Sequence, residues 1–171
     1  MISKRKELIA AMHPAHRQRI EELYMQMYDK LFSYARSSLL NDSQAEEAVQ
    51  ETFRIACTRA DVLYTSPNPE GWLVNTLKNV LSNMAHNRAT ASRIMTQYIS
   101  TQIKEMTVTE DRLRFELLYE NVSDLEEFKL LKEMVIEGKS HLEIAQARGI
   151  TVAACKKRVQ RAKEVLRKNI K

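Results

Sequence analysis

The side chains best suited to chemistry in this chain are the cations of its last 17 positions. Eight lysines and arginines stand there against one acidic residue, Glu164. Apolar residues recur through the same stretch at helical spacing, namely Ala154, Cys155, Val159, Ala162 and Leu166. A helix that buries these would turn a polar set toward solvent, namely Lys156, Lys157, Gln160, Arg161 and Lys163. A helix this basic favours a polyanionic partner, most simply nucleic acid.

The residues before this helix predict how it is presented. Ser140 and Glu143 have the spacing of a capping box, Gly149 suits the end of the short helix that they open, and Thr151 suits the cap of the basic helix. Two helices around a tight glycine turn are typical of a helix-turn-helix, whose second helix reads base edges in the major groove. Phosphates would be reached by Arg158, Arg167 and Lys168. The alternative is a solvated basic face on a structural helix, which the glycine turn disfavours.

Catalytic and metal chemistry find little support in the sequence. The four histidines fall in different segments without acidic or cysteine neighbours at ligand spacing, and Cys57 and Cys155 lie far apart. His13 and His16 are one helical turn apart, which a solvated helix explains better than a metal site. The sequence contains no glycine-rich phosphate loop and no nucleophile elbow. It therefore predicts a protein that is not an enzyme and needs no cofactor, metal or small-molecule substrate.

Composition predicts an all-α fold. The chain has 171 residues, of which 44% are hydrophobic, and it contains only 3 Gly and 3 Pro. A β-sandwich or barrel needs turn residues about every 8–12 positions, and the sequence does not supply them. No apolar run approaches the roughly 18 residues of a membrane span, and no apolar signal sequence follows the basic start of the chain. We therefore expect a cytoplasmic protein with reduced thiols.

Hydrophobic periodicity divides the chain into two helical domains joined by a flexible linker. In the first domain an amphipathic helix covers residues 21–40, and Ser43 with Glu46 forms a capping box that opens a second helix. Asn68 and Pro69 fit the cap and first position of the next helix. The predicted segments are a basic N-terminal stretch at 1–14, a first domain at 15–89, a Thr-, Ser- and Gln-rich linker at 90–111 and a second domain at 112–171.

The second domain contains a further pair of helix signals, and the first domain contains an acidic segment. In the second domain Ser123 suits the cap of a helix, and Gly138 suits the left-handed residue that ends it. In the first domain, residues 21–60 carry seven acidic residues against four basic ones, which suggests a different partner from that of the basic end. We expect three carboxylates on the outer face of the second helix, namely Glu46, Glu47 and Glu51. They are either solvated surface residues or part of a docking site for a partner.

Three stretches of the sequence resemble, in order, the characteristic segments of small bacterial sigma factors of the extracytoplasmic-function type. The first runs from Asn41 to Phe53 and includes Gln50-Glu51, and the second runs from Gly71-Trp72-Leu73 to Arg88. The third runs from Glu137 to Arg167. Together these stretches place the resemblance over about residues 20–90 and 113–171, and we identify the chain as a member of that family on this basis.

The resemblance implies a function and a set of site residues. Such proteins bind core RNA polymerase and direct it to promoters, and they are often held by an anti-sigma factor. Contacts to polymerase are implied for Glu46, Glu47, Gln50 and Glu51. Melting of the minus-ten element, with a base flipped out beside a loop, is implied for Tyr64, Asn68, Trp72, Asn75, Asn79 and Asn83. Recognition of the minus-thirty-five element is implied for Thr151, Lys156, Lys157, Arg158, Gln160 and Arg161. The linker would thread through the polymerase cleft.

Departures from the family pattern and two alternatives stay open at this point. In the first domain the family usually has Asp where Asn83 stands, Arg near His86 and Arg in place of Lys78. It often opens its second domain with Leu-Pro, where this chain has Val122-Ser123. Before the valine of the recognition helix it has Gly-Thr, where this chain has Ala153-Ala154-Cys155. One alternative is a stand-alone helix-turn-helix regulator, which would need neither the Gln-Glu helix nor the Trp-Leu helix. The other is a sigma-like adaptor without promoter binding, which the basic last helix disfavours.

Overall fold

The chain forms helices throughout the part that can be described. A computed structural model describes residues 13–104 and 125–170. Over these ranges it contains seven helices and no strand, which confirms the all-α fold. The helices are α1 Pro14–Leu39, α2 Asp42–Thr58, α3 Ala60–Tyr64, α4 Pro69–Lys104, α5 Glu126–Val135, α6 His141–Ala147 and α7 Val152–Lys168. They belong to two compact units, Met1–Met84 and Ala85–Lys171.

The first unit packs α1, α2, α3 and the beginning of α4 around one apolar core. Its fully buried large side chains include Leu23, Leu31, Leu63, Leu73 and Leu77. The spacing of these residues along each helix explains why each helix turns one face inward. A core of this kind fixes the positions of the polar residues on the outer faces of α2 and α4.

The start of α2 differs from the sequence prediction. Asn41, not Ser43, caps the helix, because its extended backbone lets the side-chain Oδ1 accept a 2.8 Å hydrogen bond from the Gln44 amide. Ser43 already lies inside the first turn, and a residue with helical backbone cannot cap its own helix from there. The capping box predicted for Ser43 and Glu46 is therefore wrong.

The start of α4 agrees with its predicted signals. The Asn68 side-chain Oδ1 accepts a 2.8 Å hydrogen bond from the Gly71 amide, and Pro69 is the first helical residue. A Cβ atom at position 71 would lie 2.6 Å from the side-chain Nδ2 of Asn68. A larger residue at position 71 would therefore displace the Asn68 side chain that caps the helix.

The second unit is organised by local signals that the sequence predicts correctly. The Ser140 amide donates to Glu143 Oε2 at 2.7 Å, and the Glu143 amide donates to Ser140 Oγ at 3.1 Å, which completes the capping box of α6. Gly138 and Gly149 both have left-handed backbone, with φ of 68° and 61°. The predicted cap at Ser123 lies outside the described residues.

The structure differs from the predicted linker over residues 90–104, which continue α4. Ala91, Ile94, Met95 and Tyr98 are buried in the core of the second unit together with residues of α5, α6 and α7. The three- and four-residue steps between them form one helical face. The surrounding Thr, Ser and Gln side chains, which lie mostly on other faces, hide this face from a reading by composition. Residues 105–111 of the predicted linker lie outside the described residues.

Ile94 offers a direct check of this packing. We expect Ile94→Ala to lower the free energy of unfolding of the second unit by about 2–4 kcal/mol, because it removes a fully buried side chain and leaves a cavity. The exposed neighbour Thr96 provides the control, and Thr96→Ala is expected to change stability by less than about 0.5 kcal/mol. Hydrogen exchange at the amides of α6 and α7 measures the effect. Equal exchange rates in the two variants would contradict the packing.

Candidate nucleic-acid interface

Helix α7 is presented by a rigid turn that follows α6. The Thr151 Oγ1 accepts a 3.1 Å hydrogen bond from the Ala154 amide and so caps the start of α7, as predicted. The end of α6 is tied to α5 by a 2.7 Å ion pair between Arg148 Nη2 and Glu133 Oε1, both about one-fifth exposed. This geometry is that of a helix-turn-helix, with α7 in the position of the helix that enters a DNA groove.

The outer face of α7 exposes two of the four cations that the sequence predicts for it. Lys157 and Arg161 are exposed one helical turn apart, directly opposite the buried Cys155, Val159 and Ala162. Two flanking candidates, Arg158 and Gln160, are also exposed, as is Thr151 at the cap, whereas Lys156 is half-buried. The Gln160 Nε2 donates to Glu164 Oε1 at 3.0 Å, a bond that uses only one of the two N–H groups of this amide.

Lys163 does not lie on the outer face, and the prediction that it points outward was wrong. The side chain is 7% exposed, and its Nζ is 3.5 Å from Asn87 Oδ1 of α4. Asn87 lies in the stretch 15–89, which the sequence prediction placed in the first domain, so no contact with α7 was expected for it. Burial lowers the pKa of the Lys163 ammonium, and the nearby charge of Arg167 lowers it further.

Lys163 therefore makes stability depend on pH in a defined direction. The pKa of Lys163 is lower in the folded protein than in the unfolded chain, so the charged side chain opposes folding at neutral pH, and this cost fades as the pH rises through the folded pKa. We expect Lys163→Met to raise the unfolding free energy by about 1 kcal/mol at pH 7, and the gain to shrink toward pH 10. Lys168→Met, at an exposed site of the same helix, is the control. Thermal melts across this pH range measure both, and a constant gain would contradict the assignment.

An exposed row of amide side chains lies on α4 in the first unit. Asn75, Asn79 and Asn83 are exposed at four-residue intervals, so they share one helix face. Each amide offers both donors and acceptors, which suits the hydrogen-bonding edges of unpaired bases. Tyr64 and Asn68 precede this row and are also exposed.

Trp72 and Asn68 are less available than the sequence analysis assumed. Trp72 is half-buried and packs against the core of the first unit, so only part of its ring is open to a ligand. The Oδ1 of Asn68 is occupied by the Gly71 amide. Asn68 therefore has its side-chain NH₂ group left for a contact to nucleic acid.

The acidic helix α2 divides its predicted residues between surface and core. Gln50 is exposed and donates from Nε2 to Glu46 Oε1 at 3.0 Å. Glu51 receives two hydrogen bonds from the Arg54 guanidinium, at 2.7 Å and 3.0 Å, and this contact raises the pKa of Arg54. Glu47 is only 6% exposed, so its predicted place on the outer face was wrong.

Two family models match the chain, one over most of the first unit and the start of the second, the other within the second unit. The model of sigma-70 region 2 matches residues 23–90, and the model of sigma-70 region 4 matches residues 127–166. The chain belongs to the sigma-70 family. The region 4 model is the form found in extracytoplasmic-function sigma factors, so this sigma factor is of that type. No curated protein sequence matches the chain significantly.

The general role of the protein follows from its family. Its regions 2 and 4 give this sigma factor a role in promoter recognition, and they imply interaction with core RNA polymerase and promoter DNA. Families of this kind are DNA-binding regulators rather than enzymes. Within residues 13–104 and 125–170, no helix is long and apolar enough to cross a bilayer.

Two contacts that the sequence did not predict join residues far apart in the chain. Arg88, near the end of the region 2 match, donates from Nη2 to the Val135 carbonyl at 3.0 Å, at the end of α5. The ring of His16 on α1 contacts the ring of Tyr64 on α3. The arginine and the histidine were visible in the sequence, but no local signal connects either of them to its partner.

Proposed function

We propose that this sigma factor directs core RNA polymerase to promoters by reading duplex DNA with α7 and opening the minus-ten element with the first unit. The observation that carries the proposal is the outer face of α7, the second helix of the helix-turn-helix. On this face Lys157 and Arg161 are exposed one turn apart, and Thr151 caps the start of the helix. Cationic side chains in this position can donate to O6 and N7 of guanine in the major groove. We assign base contacts to Lys157, Gln160 and Arg161, and phosphate contacts to Arg158.

The first unit supplies the surface for unpaired DNA. Tyr64 exposes half of its ring, which can stack on a base, and the row formed by Asn75, Asn79 and Asn83 can hydrogen-bond to base edges. Taking a base out of the duplex costs a few kcal/mol. Stacking and amide contacts at this surface would offset that cost once the strand is separated.

Docking on polymerase falls to the outer face of α2 in this proposal. Glu46 and Gln50 form a bonded pair on this face, and Glu51 lies beside them with Arg54. Glu47 is left out because its burial removes it from a partner's reach. The acidic balance of residues 21–60 suits a basic partner surface. An anti-sigma partner rests on the family resemblance alone.

The proposal is tested by reconstitution with core polymerase. Purified protein and core enzyme are incubated with a library of genomic fragments, and the bound fragments are transcribed. We expect transcripts that start at defined sites downstream of two sequence elements, and none with core enzyme alone. Duplex binding by the free protein, with no association with core enzyme, would instead support a stand-alone regulator.

A further inference from the structure

One hydrogen bond on the outer face of α7 joins two side chains that carry no positive charge. The Gln160 Nε2 donates to Glu164 Oε1 at 3.0 Å, and both residues are exposed, one helical turn apart. Glu164 is the one acidic residue among the last 17 positions of the chain, which also contain eight lysines and arginines. It shares the outer face with Lys157 and Arg161, since it follows them by seven and three positions.

Electrostatic attraction to DNA does not explain this carboxylate. A negative charge on a helix that faces a groove repels phosphates and lowers the affinity for every sequence. Three cations lie three or four positions away from Glu164, namely Arg161, Arg167 and Lys168. Among the described residues none of these cations forms an ion pair with the carboxylate, which bonds Gln160 instead. The choice of partner favours a role in specificity over a role in affinity.

The carboxylate can fix the orientation of the Gln160 amide. A glutamine amide has a carbonyl oxygen at one end and an NH₂ group at the other, and a side chain that is free to turn can present either order to a base. An ionised carboxylate only accepts hydrogen bonds, so Glu164 holds the Nε2 end and not the Oε1 end. Two groups of the amide stay available, the Oε1 acceptor and the second N–H of Nε2.

The two available groups match one base of duplex DNA. In the major groove adenine presents the N7 acceptor beside the N6 amino donor, and a glutamine amide pairs with both. This contact uses Oε1 and the N–H on the same side of the amide, which leaves the opposite N–H for a carboxylate. Guanine presents two acceptors, N7 and O6, and offers the carbonyl oxygen of the amide no donor. An amide held in this way therefore selects adenine.

We propose that Gln160 reads an adenine of the minus-thirty-five element and that Glu164 is its positioning residue. This rests on the proposed function, in which Gln160 contacts a base. The new elements are the identity of the base and the role of an acidic residue in a helix that otherwise suits a polyanion. The carboxylate lowers the affinity for all DNA and raises the preference for adenine at one base pair.

The first test identifies the base, using duplex probes bound to holoenzyme. Wild type and Gln160→Ala are compared on single base-pair variants of the minus-thirty-five element of a recovered promoter. We expect Gln160→Ala to remove a preference of about ten-fold at one base pair, where the promoter carries adenine. Replacing that adenine with 7-deazaadenine, which lacks the N7 acceptor, should weaken binding by wild type but not by Gln160→Ala. A different base at that position, or no position that depends on Gln160, would overturn the assignment.

Variants of Glu164 separate positioning from charge. Glu164→Ala and Glu164→Gln both remove the negative charge, and both should raise the affinity for every duplex about two- to five-fold. Glu164→Ala should also lower the adenine preference about two- to three-fold, in line with the modest energy of an exposed pair one turn apart. Glu164→Gln keeps an oxygen that can accept from Gln160, so it should retain most of the preference. Equal adenine preferences in the two variants would overturn the positioning role.

A positioning residue acts through its partner, and this gives a further check. In a Gln160→Ala background, Glu164→Ala should not change the preference at that base pair. Glu126, an exposed acid on α5 that pairs with Lys129 at 3.8 Å, supplies the matched control, and Glu126→Ala should leave the preference unchanged. A second base pair that depends on Glu164 alone would indicate direct reading of cytosine by the carboxylate and would overturn the proposal.

The two proposals fail in different ways. If wild-type holoenzyme shows no preference at any base pair of an upstream duplex element, the proposed function is wrong. If it reads such an element while Glu164→Ala keeps the same base preferences as Glu126→Ala, the proposed function stands and only the role of Glu164 is wrong.

Discussion

Replacing Gln50 and Glu51 together with lysine is expected to abolish binding to core RNA polymerase. The double change places two cations on the outer face of α2, breaks the bond from Gln50 to Glu46 and leaves Arg54 beside a new positive charge. Removing polar and charged partners from a docking surface costs about 2–5 kcal/mol, and like charges add to this cost. We therefore expect the Kd for core polymerase to rise at least about a hundred-fold, measured by fluorescence anisotropy or gel shift of labelled protein.

The fold is expected to survive this double change. The bonds that are lost lie at the protein surface, where such pairs contribute little to stability. A matched control changes Gln26 and Asp29 to lysine, which likewise replaces one amide and one carboxylate and makes the same change in net charge at exposed sites of α1. This control should bind polymerase nearly as well as wild type. Equal weakening by both double variants would show a general charge effect and would contradict docking through α2.

Arg161→Ala is expected to weaken holoenzyme binding to the promoter, with a loss of about 1–3 kcal/mol of binding free energy. The substitution should also remove the preference for one base pair, the one that Arg161 reads. Arg161 is exposed on the face of α7 opposite the buried Val159 and Ala162, where a guanidinium can donate to guanine without disturbing the core. Holoenzyme affinity is measured on the recovered promoter and on a set of single base-pair variants of its minus-thirty-five element. Wild-type holoenzyme should bind one of these DNA variants more weakly than the recovered promoter. Holoenzyme with Arg161→Ala should bind that DNA variant and the promoter with equal affinity.

Arg167→Ala supplies the contrast on the same helix. Arg167 is exposed in the last turn of α7, away from the capped start that enters the groove. Its loss should act about equally on all promoter variants and lower the dependence of affinity on salt, as expected for a phosphate contact. An equal effect of Arg161→Ala on every promoter variant would assign Arg161 to the phosphates as well.

Local signals explain why much of the fold follows from the sequence. The Asn68-Pro69 start, the Ser140-Glu143 box, the Gly149 turn and the Thr151 cap each involve residues within four positions of one another. Hydrogen bonds over such short separations depend little on the rest of the chain. The helix-turn-helix was predictable for this reason.

Tertiary packing explains what the sequence did not reveal. Lys163 lies at the edge of the apolar face of α7, and Glu47 lies outside the apolar face of α2, so the burial of each depends on which neighbour covers it. Lys163 contacts Asn87 of α4, a residue that the sequence prediction placed in the first domain. The contact of His16 with Tyr64 likewise requires α1 and α3 to be placed first. Base contacts and polymerase contacts remain predictions, because the partner decides them.

A footprint of the reconstituted holoenzyme on a recovered promoter tests the central claim most directly. Permanganate oxidation of unpaired thymines, combined with nuclease protection, locates strand opening and duplex contacts in one experiment. We expect protection over an upstream duplex element that is lost with Arg161→Ala, and reactive thymines in a downstream element that disappear with Tyr64→Ala. Protection of a single site by the protein without polymerase, with no reactive thymine at any promoter, would contradict the claim.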